Sequence, residues 1–252
     1  MNIDLSGKTA LVTGGARDIG RAAALALADS GAAVAVNYYA SGDRADALVR
    51  EISAKGGKAI AVQGDVTKAL DVERIVGATT EAFAGKIDIL VNNTGGLLAR
   101  RTIADMDETF FDEVMALNFK SVFLVTKAVA HVMPEGGAIV NLSSLAARDG
   151  GGPGSAIYAA AKGAVLTFTR GMSKELAGKK IRVNCVSPGM IATTFHDTFT
   201  KPEARKATAA RTSVGREGTS EDVANAIVFL ASDASAYLNG ESVEINGGLY
   251  FV

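Results

Sequence analysis

Short apolar segments and segments with helical periodicity alternate along the chain, and this alternation restricts the fold more than any other feature. The apolar segments are nearly continuous, which is typical of strands buried on both faces of a sheet. There are seven of them, at residues 9–13, 33–36, 59–62, 87–91, 138–142, 181–186 and 241–245. Helical periodicity occupies residues 19–30, 44–55, 68–84, 107–133, 155–177 and 220–232.

This alternation predicts an α/β protein of the Rossmann-type doubly wound class, with a seven-stranded parallel sheet and helices on both faces. No linker, repeat or low-complexity segment interrupts the pattern, so we expect residues 1–252 to form one domain. Ligands of such sheets bind beyond the carboxyl ends of the strands. The one long region outside the pattern, at about residues 190–218, is predicted to form a lid over that edge.

Composition and charge exclude several classes of partner. A formal net charge of −1 gives no basic excess that would favour nucleic acid or anionic lipid. No apolar run approaches the roughly 20 residues of a membrane-spanning helix, and residues 1–8 do not resemble a targeting segment. We therefore expect a cytoplasmic protein that binds neither nucleic acid nor membranes. One cysteine and two histidines supply no cluster for a structural zinc site, so no metal ligand is predicted.

A glycine-rich loop directly follows the first predicted strand and precedes a helix. It reads Thr-Gly-Gly-Ala-Arg-Asp-Ile-Gly at residues 13–20. A strand, a glycine turn and a helix in this order direct free backbone N–H groups and the positive end of the helix toward a pyrophosphate. The loop alone also fits a plain glycine-rich turn, so the prediction of nucleotide binding depends on the rest of the chain.

The loop resembles that of the short-chain dehydrogenase/reductase family, which reads Thr-Gly-x-x-x-Gly-x-Gly. Gly14 and Gly20 match the outer glycines, whereas Asp18 stands where the family has its middle glycine. A carboxylate near a pyrophosphate is repulsive unless it points away or is paired. We therefore expect Asp18 to cap the helix that begins at Ile19, with its side chain accepting a backbone N–H.

A tyrosine and a lysine on the fifth predicted helix extend the resemblance. Tyr158 and Lys162 are spaced i, i+4, which places the phenol and the ammonium group on one helix face. A free phenol has a pKa of about 10, and a nearby cation would bring that pKa closer to working pH. The resemblance implies that Tyr158 is the catalytic acid or base, that Ser144 orients the substrate, and that Asn118 holds a water in the proton path.

Further cofactor contacts are implied by the resemblance at the ends of other strands. Asp65 and Val66 match a pair that contacts adenine, and Asn92, Thr94 and Gly95 lie in a segment that matches the family's Asn-Asn-Ala-Gly. The segment after the sixth strand is expected to lie along the nicotinamide, and its matching residues are Pro188, Gly189, Ile191 and Thr193. Lys162 is expected to bind the nicotinamide ribose.

The end of the second strand bears on the choice of cofactor. Proteins that prefer NAD usually carry an acidic residue there, and none is present. Arg17 matches a basic position of family members that prefer NADP, and Ser41 and Arg44 are placed to add contacts to a 2′-phosphate. Tyr38 or Tyr39 is expected to pack against adenine. The sequence thus favours NADP(H), with NAD(H) as the alternative.

The resemblance implies an enzyme that transfers hydride between a nicotinamide cofactor and a small carbonyl or alcohol substrate. A 3-oxoacyl thioester, a ketone or secondary alcohol, and a sugar or polyol remain open as substrates, and a non-catalytic nucleotide sensor or structural subunit is the alternative of a different class. The residues that favour an apolar ligand are Leu97, Leu145, Met190 and Phe195. Those that favour an anionic one are Arg100, Arg101, Arg148 and His196.

Small residues on the predicted helix 155–177 suggest close packing between helices. They are Ala156, Ala159, Ala160, Gly163 and Ala164. Because family members commonly pair this helix and the preceding long helix across subunits, we expect a homotetramer, or at least a dimer. Packing of the same residues on the chain's own sheet is the alternative.

Overall fold

The computed structural model describes residues 3–83 and 85–252. Seven strands form one sheet in the order β3-β2-β1-β4-β5-β6-β7, and neighbouring strands are parallel throughout. The strands are β1 (Thr9–Val12), β2 (Ala33–Tyr38), β3 (Ala59–Gln63), β4 (Ile89–Asn92), β5 (Ala138–Leu142), β6 (Arg182–Pro188) and β7 (Ser242–Ile245). The predicted Rossmann-type parallel sheet is therefore confirmed, and its strand order reverses between β1 and β4.

Helices cover both faces of this sheet. They are α1 (Asp18–Asp29), α2 (Gly42–Ala54), α3 (Ala69–Ala82), α4 (Glu108–Met115), α5 (Ser121–Val132), α6 (Ala146–Asp149), α7 (Ala156–Glu175), α8 (Thr194–Phe199), α9 (Pro202–Arg211) and α10 (Ser220–Ala231). Short 3-10 turns lie at Ile103–Asp105, Ala177–Lys179 and Asp233–Ser235. The predicted end of the third helix at Ala84 lies outside the described residues.

The prediction of one continuous helix over residues 107–133 is wrong. A π-helical turn at Ala116–Lys120 separates α4 from α5. In this turn the backbone N–H of Ser121 donates to Ala116, five residues earlier, so the side chains beyond it are rotated relative to those of α4. Asn118 lies within the turn and is fully buried. Apolar residues continue on both sides of the turn, which is why their pattern suggested a single helix.

Two apolar cores, one on each face, hold the layers together. One core packs α1, α2 and α10 against the sheet and includes Leu27, Leu48 and Ile227. The other packs α3, α5 and the end of α7 and includes Ile75 and Val129. The loops that follow β1, β4, β5 and β6 therefore meet at one edge of a rigid sheet, where the predicted site residues lie. None of the described helices is both long and apolar enough to cross a membrane.

Candidate active site

Tyr158, Lys162 and Ser144 meet at the carboxyl edge of β5. Tyr158 and Lys162 lie one turn apart on α7, and Ser144 follows β5. Burial raises the pKa of the Tyr158 phenol above its ordinary value, and the neighbouring Ser144 side chain opposes that shift in part. Ser143 points away from this cluster, because its hydroxyl donates to the backbone carbonyl of Lys162 at 2.9 Å.

Lys162 is a buried lysine that forms no ion pair with a carboxylate of the described residues. Its side chain is 3% exposed, and Nζ donates to the backbone carbonyl of Leu142 at 2.8 Å. Burial lowers the pKa of Lys162 to about 8, with Cys185 opposing the shift in part. Nζ lies 5.9 Å from the centre of the Tyr158 ring. The chain alone therefore does not produce the lowered phenol pKa expected from the sequence, although it places a cation beside the phenol.

Asn118 and Gly95 close the cluster on the side of β4. The Asn118 amide donates to the carbonyls of Gly96 and Val114, and its oxygen accepts from the Gly96 N–H at 2.9 Å. A Cβ atom at Gly95 would lie 2.7 Å from Lys162 Nζ and 2.8 Å from Asn118 Oδ1. Glycine at position 95 is thus what allows the β4 loop to pass between these two side chains.

The glycine loop has the shape of a phosphate cradle. Gly14 has a φ of +60°, its N–H donates to Asn37 Oδ1 at 3.2 Å, and its carbonyl accepts from Asn93 at 3.0 Å. A Cβ at Gly20 would overlap the Gly14 carbonyl oxygen, so α1 can begin against the loop only with glycine there. No side chain caps α1, and the first N–H groups of a helix have no intrahelical partner. These residues fit the diphosphate of a dinucleotide.

The prediction that Asp18 caps α1 is wrong. Arg17 occupies the N-cap position, and Asp18 is the first helical residue, with a φ of +49°. The Asp18 carboxylate instead accepts from the N–H and the hydroxyl of Thr194, at 3.2 and 2.5 Å. Because Thr194 is the first residue of α8, the carboxylate joins the glycine loop to the segment predicted as a lid.

Other predicted adenosine contacts line the loops that follow β2 and β3. Tyr38 is half-buried against one core, whereas Tyr39 is 70% exposed. Ser41 occupies the N-cap position of α2 without a side-chain cap. The Asp65 carboxylate accepts from the N–H and hydroxyl of Thr67, which gives it a role in a turn beside any role with a ligand. Val66 is buried at the same turn.

At the end of β4, the structure restricts what Asn92 can do. Its side chain is 2% exposed, and its amide donates to Thr126 and Asn141 inside the protein. The Asn92 amide is thus bound between strands and a helix, and a cofactor contact of Asn92 stays a prediction. Asn93 and Thr94 instead lie at the glycine loop, and the backbone N–H groups of both donate to Thr13 Oγ1.

Residues 190–218, which we call the lid segment, contact this edge through Thr194 and Phe195, and their role as a lid stays a prediction. Its two ends are fastened together: Ile191 forms a parallel bridge with Gly218, and Ala192 donates to the Gly218 carbonyl at 2.9 Å. Before it, Gly189 follows β6 where a Cβ would meet Asn246 at 2.8 Å, and the carbonyl of Pro188 accepts from Leu145. The Thr193 hydroxyl donates to the Ile191 carbonyl.

An aromatic side chain of the lid segment covers the phenol. The centre of the Phe195 ring lies 5.9 Å from that of Tyr158, and Phe199 lies against Phe195 at 5.3 Å. Leu97 and Leu145, which follow β4 and β5 in the chain, are both buried. The exposed part of the site beside Tyr158 therefore has an apolar wall.

The basic residues considered for an anionic ligand are bound within the protein. Arg100 donates to the carbonyls of Phe199 and Pro153, and the guanidinium carbon of Arg101 lies 4.4 Å from the centre of the Phe110 ring. Arg148 is bound in a half-buried ion pair, in which its Nη2 lies 2.9 Å from Glu244 Oε1. His196 hydrogen-bonds Thr200, and burial lowers its pKa.

Three residues that the sequence analysis did not select shape the site: Asn37, Asn93 and Thr194. The two asparagines end buried strands, and a polar residue in that position was the available signal. Thr194 gave no signal, because its partner Asp18 is 176 residues away in the chain. Among the described residues, no group of three or more His, Cys, Asp or Glu side chains could hold a metal ion.

The chain is similar to known proteins over nearly its full length. A family model described as enoyl-(acyl carrier protein) reductase matches residues 14–250. A curated relative from Synechocystis sp., named 3-oxoacyl-(acyl-carrier-protein) reductase, is 42% identical over 252 residues, with 97% of this chain and 98% of the relative covered.

Solved structures share the fold and the chain length. A dehydrogenase/reductase from Sinorhizobium meliloti 1021 is 36% identical with a TM-score of 0.94, and 99% of this chain and 98% of that chain are covered. A short chain dehydrogenase from Burkholderia cenocepacia J2315 in complex with NADP is 36% identical with a TM-score of 0.91, covering 97% of this chain and 98% of that chain.

Proposed function

Because the chain belongs to the short-chain dehydrogenase/reductase family and is an NAD(P)-dependent oxidoreductase, we propose that it uses NADPH to reduce the keto group of a 3-oxoacyl thioester or a related apolar ketone. One observation carries the proposal: the Tyr158 phenol lies beside the buried Lys162, whose Nζ is 5.9 Å from the centre of the ring, and the Ser144 side chain is near enough to lower the phenol pKa in part. A sensor or structural subunit would have no need of this arrangement.

The chemistry divides between the cofactor and the chain. When bound, the reduced nicotinamide supplies a hydride to the carbonyl carbon. Tyr158 donates its proton to the carbonyl oxygen, and Ser144 holds that oxygen by a hydrogen bond. The raised pKa of Tyr158 keeps the phenol protonated at neutral pH, as a proton donor must be. Lys162 is mostly charged below its pKa of about 8 and stabilises the phenolate left after the transfer.

The lining of the site supports an apolar carbonyl compound over a sugar. Phe195 and Phe199 stand on the open side of Tyr158. The arginines that would recognise an anionic or strongly polar substrate already bind carbonyl groups, a ring and a carboxylate. A polyol would leave several hydroxyl groups against this wall without partners, which disfavours it.

The proposal is tested by Tyr158→Phe, which keeps the ring and removes the proton donor. We expect oxidation of NADPH with a short 3-oxoacyl thioester to fall by about 100-fold or more. Tyr237→Phe is the matched control, because Tyr237 is fully exposed and should tolerate the change without loss of rate. A Tyr158→Phe enzyme as fast as the parent would refute the assignment.

We also propose that NADPH is preferred to NADH. The end of β2 carries no acidic residue, and the Arg17 side chain is 57% exposed at the mouth of the glycine loop. A ligand at about 100 times its dissociation constant stabilises a protein by about 2.7 kcal/mol. We therefore expect a larger thermal shift with NADPH than with equal NADH, and a smaller difference in Arg17→Ala.

We also propose that the protein forms a homotetramer in the cytoplasm. Ala156 and Ala160 are exposed on α7, and a Cβ at Gly163 would meet open space, so this face is not used against the chain's own sheet. Phe123 on α5 is 44% exposed. The buried free thiol of Cys185 suits a reducing compartment. A monomeric mass by light scattering would refute the tetramer.

A further inference from the structure

A carboxylate connects the glycine loop to the lid segment at the predicted cofactor site. Asp18 stands where the family pattern has glycine, and its backbone has the left-handed conformation, with a φ of +49°. This conformation suits glycine and is tolerated by aspartate. We therefore attribute the side chain at this position to the contact that Asp18 makes with a distant segment.

That contact is a small network on one threonine. Thr194 donates its N–H to Asp18 Oδ1 at 3.2 Å and its hydroxyl to Oδ2 at 2.5 Å. Arg17 in turn donates to the same hydroxyl oxygen at 2.9 Å, and its Nε lies 4.0 Å from the carboxylate. Donors thus surround the carboxylate on the lid side, so its negative charge is matched before any phosphate group arrives.

The position of Thr194 determines what the network holds. Thr194 is the first residue of α8, and Phe195, which covers Tyr158, follows it directly. The far ends of the lid segment are fastened elsewhere, through Ile191 and Gly218. The network is therefore the attachment between the helix that covers the substrate side and the loop predicted to hold the diphosphate.

We propose that Asp18 is a positioning residue that fastens the start of α8 to the phosphate loop, so that the lid segment must release this contact before NADP(H) can leave. This inference rests on the proposed function, because it assigns the loop to the cofactor. The carboxylate takes no part in hydride or proton transfer. It acts through Thr194 on the placement of Phe195 and on the time for which the cofactor is retained.

The first test measures the lid segment without any cofactor. Asp18→Gly removes the contact and suits the backbone conformation, so the variant should fold at least as well as the parent. A hydrogen bond to a charged group corresponds to about tenfold or more in an opening equilibrium. We therefore expect trypsin to cleave after the exposed Lys206 and Arg211 about tenfold faster in Asp18→Gly.

Matched variants separate the contact from strain and from the helix itself. Thr194→Val should accelerate cleavage at least as much as Asp18→Gly does, because it also removes the hydrogen bond from Arg17, and the double variant should be no faster than Thr194→Val alone. Thr198→Val loses a hydrogen bond inside α8 and should leave the contact between Asp18 and Thr194 unchanged. Lys180→Gly relieves the same backbone conformation, with a φ of +53° far from the site in the chain, and should not change cleavage.

The second test measures the cofactor. The dissociation rate of NADPH, followed by its fluorescence after rapid dilution, should rise about tenfold in Asp18→Gly and in Thr194→Val, and the KM for NADPH should rise more than kcat falls. Unchanged cleavage, or additive effects of the two substitutions, would overturn the contact. Faster cleavage with an unchanged NADPH dissociation rate would overturn its role in retention. A parent protein that binds no NADPH would refute the proposed function, while the cleavage test would still decide the contact.

Discussion

The buried lysine of the active site should make the stability of this protein depend on pH in a specific direction. The pKa of Lys162 falls from 10.5 to about 8 on folding, because burial disfavours its charged form. Each pKa unit corresponds to about 1.4 kcal/mol, so the charged lysine costs the folded state about 3 kcal/mol below the folded pKa. That cost is relieved as the pH rises from about 8 toward the unfolded pKa, because the folded lysine loses its proton while the unfolded chain still holds one.

The measurement compares the parent with Lys162→Met by urea unfolding from about pH 7 to about pH 9. Methionine has a similar shape and cannot titrate. Over this range the parent should gain about 1 kcal/mol of unfolding free energy relative to the variant, since the unfolded chain binds the lysine proton and the folded chain increasingly does not. The hydrogen bond from Lys162 to Leu142 is lost at every pH and does not alter the slope.

Two neighbouring groups, Cys185 and Tyr158, also titrate at high pH. Burial raises the pKa values of Cys185 and Tyr158 above their ordinary values, so both groups stay protonated through most of this range. A Cys185→Ala background, in which the comparison is repeated, removes the thiol altogether. Parallel pH profiles of the parent and Lys162→Met would refute the argument, because they would mean that Lys162 titrates alike in the folded and unfolded chains.

Two further substitutions test the packing of the site. Gly95→Ala should lower kcat severely and the unfolding free energy by about 1–3 kcal/mol, because the new Cβ would press on Lys162 and Asn118. Gly96→Ala is the control, because its Cβ would meet only Leu117, at 3.8 Å. Equal losses in the two variants would contradict the explanation. Glu244→Met should cost about 1–3 kcal/mol in urea unfolding, because it leaves the half-buried Arg148 guanidinium without its carboxylate partner. The double variant Arg148→Met with Glu244→Met should recover most of that loss, and a double variant as unstable as Glu244→Met would show that the charge pairing is not the cause.

The sheet and the main catalytic pair were predictable because their signals are local. Each buried strand is a run of apolar residues, and a slip of one residue in such a run would place charged neighbours in the core. The spacing of Tyr158 and Lys162 is likewise a property of one helix turn. The parallel order of the strands then follows from the helices between them, which require crossovers of one hand.

The remaining features depend on partners that are distant in the sequence. The sequence contains Asp18 and Thr194 but nothing that relates them, so capping the adjacent helix was the nearest explanation for the carboxylate. The partner of Arg148 is also distant in the sequence. The charge of Arg148 suggested an anionic ligand, whereas Glu244 on β7, 96 residues away, already binds the guanidinium. The π-helical turn at Ala116–Lys120 escaped detection because an extra residue in one turn leaves the apolar composition unchanged.

These features share a location that bears on function. The left-handed backbone at Asp18, the buried charge of Lys162 and the π-helical turn around Asn118 each depart from what local propensity favours, and all lie at the carboxyl edge of the sheet. Departures of this kind cost stability and persist only where surrounding structure maintains them. Here the surroundings are specific: Thr194 holds Asp18, the Leu142 carbonyl holds Lys162, and the Gly96 backbone holds Asn118. The three holding groups belong to different segments, namely the start of α8, the end of β5 and the loop after β4. Because Lys162 and Asn118 are held without Thr194, loosening the lid segment at Asp18 should affect cofactor retention before it affects the proton-donating cluster.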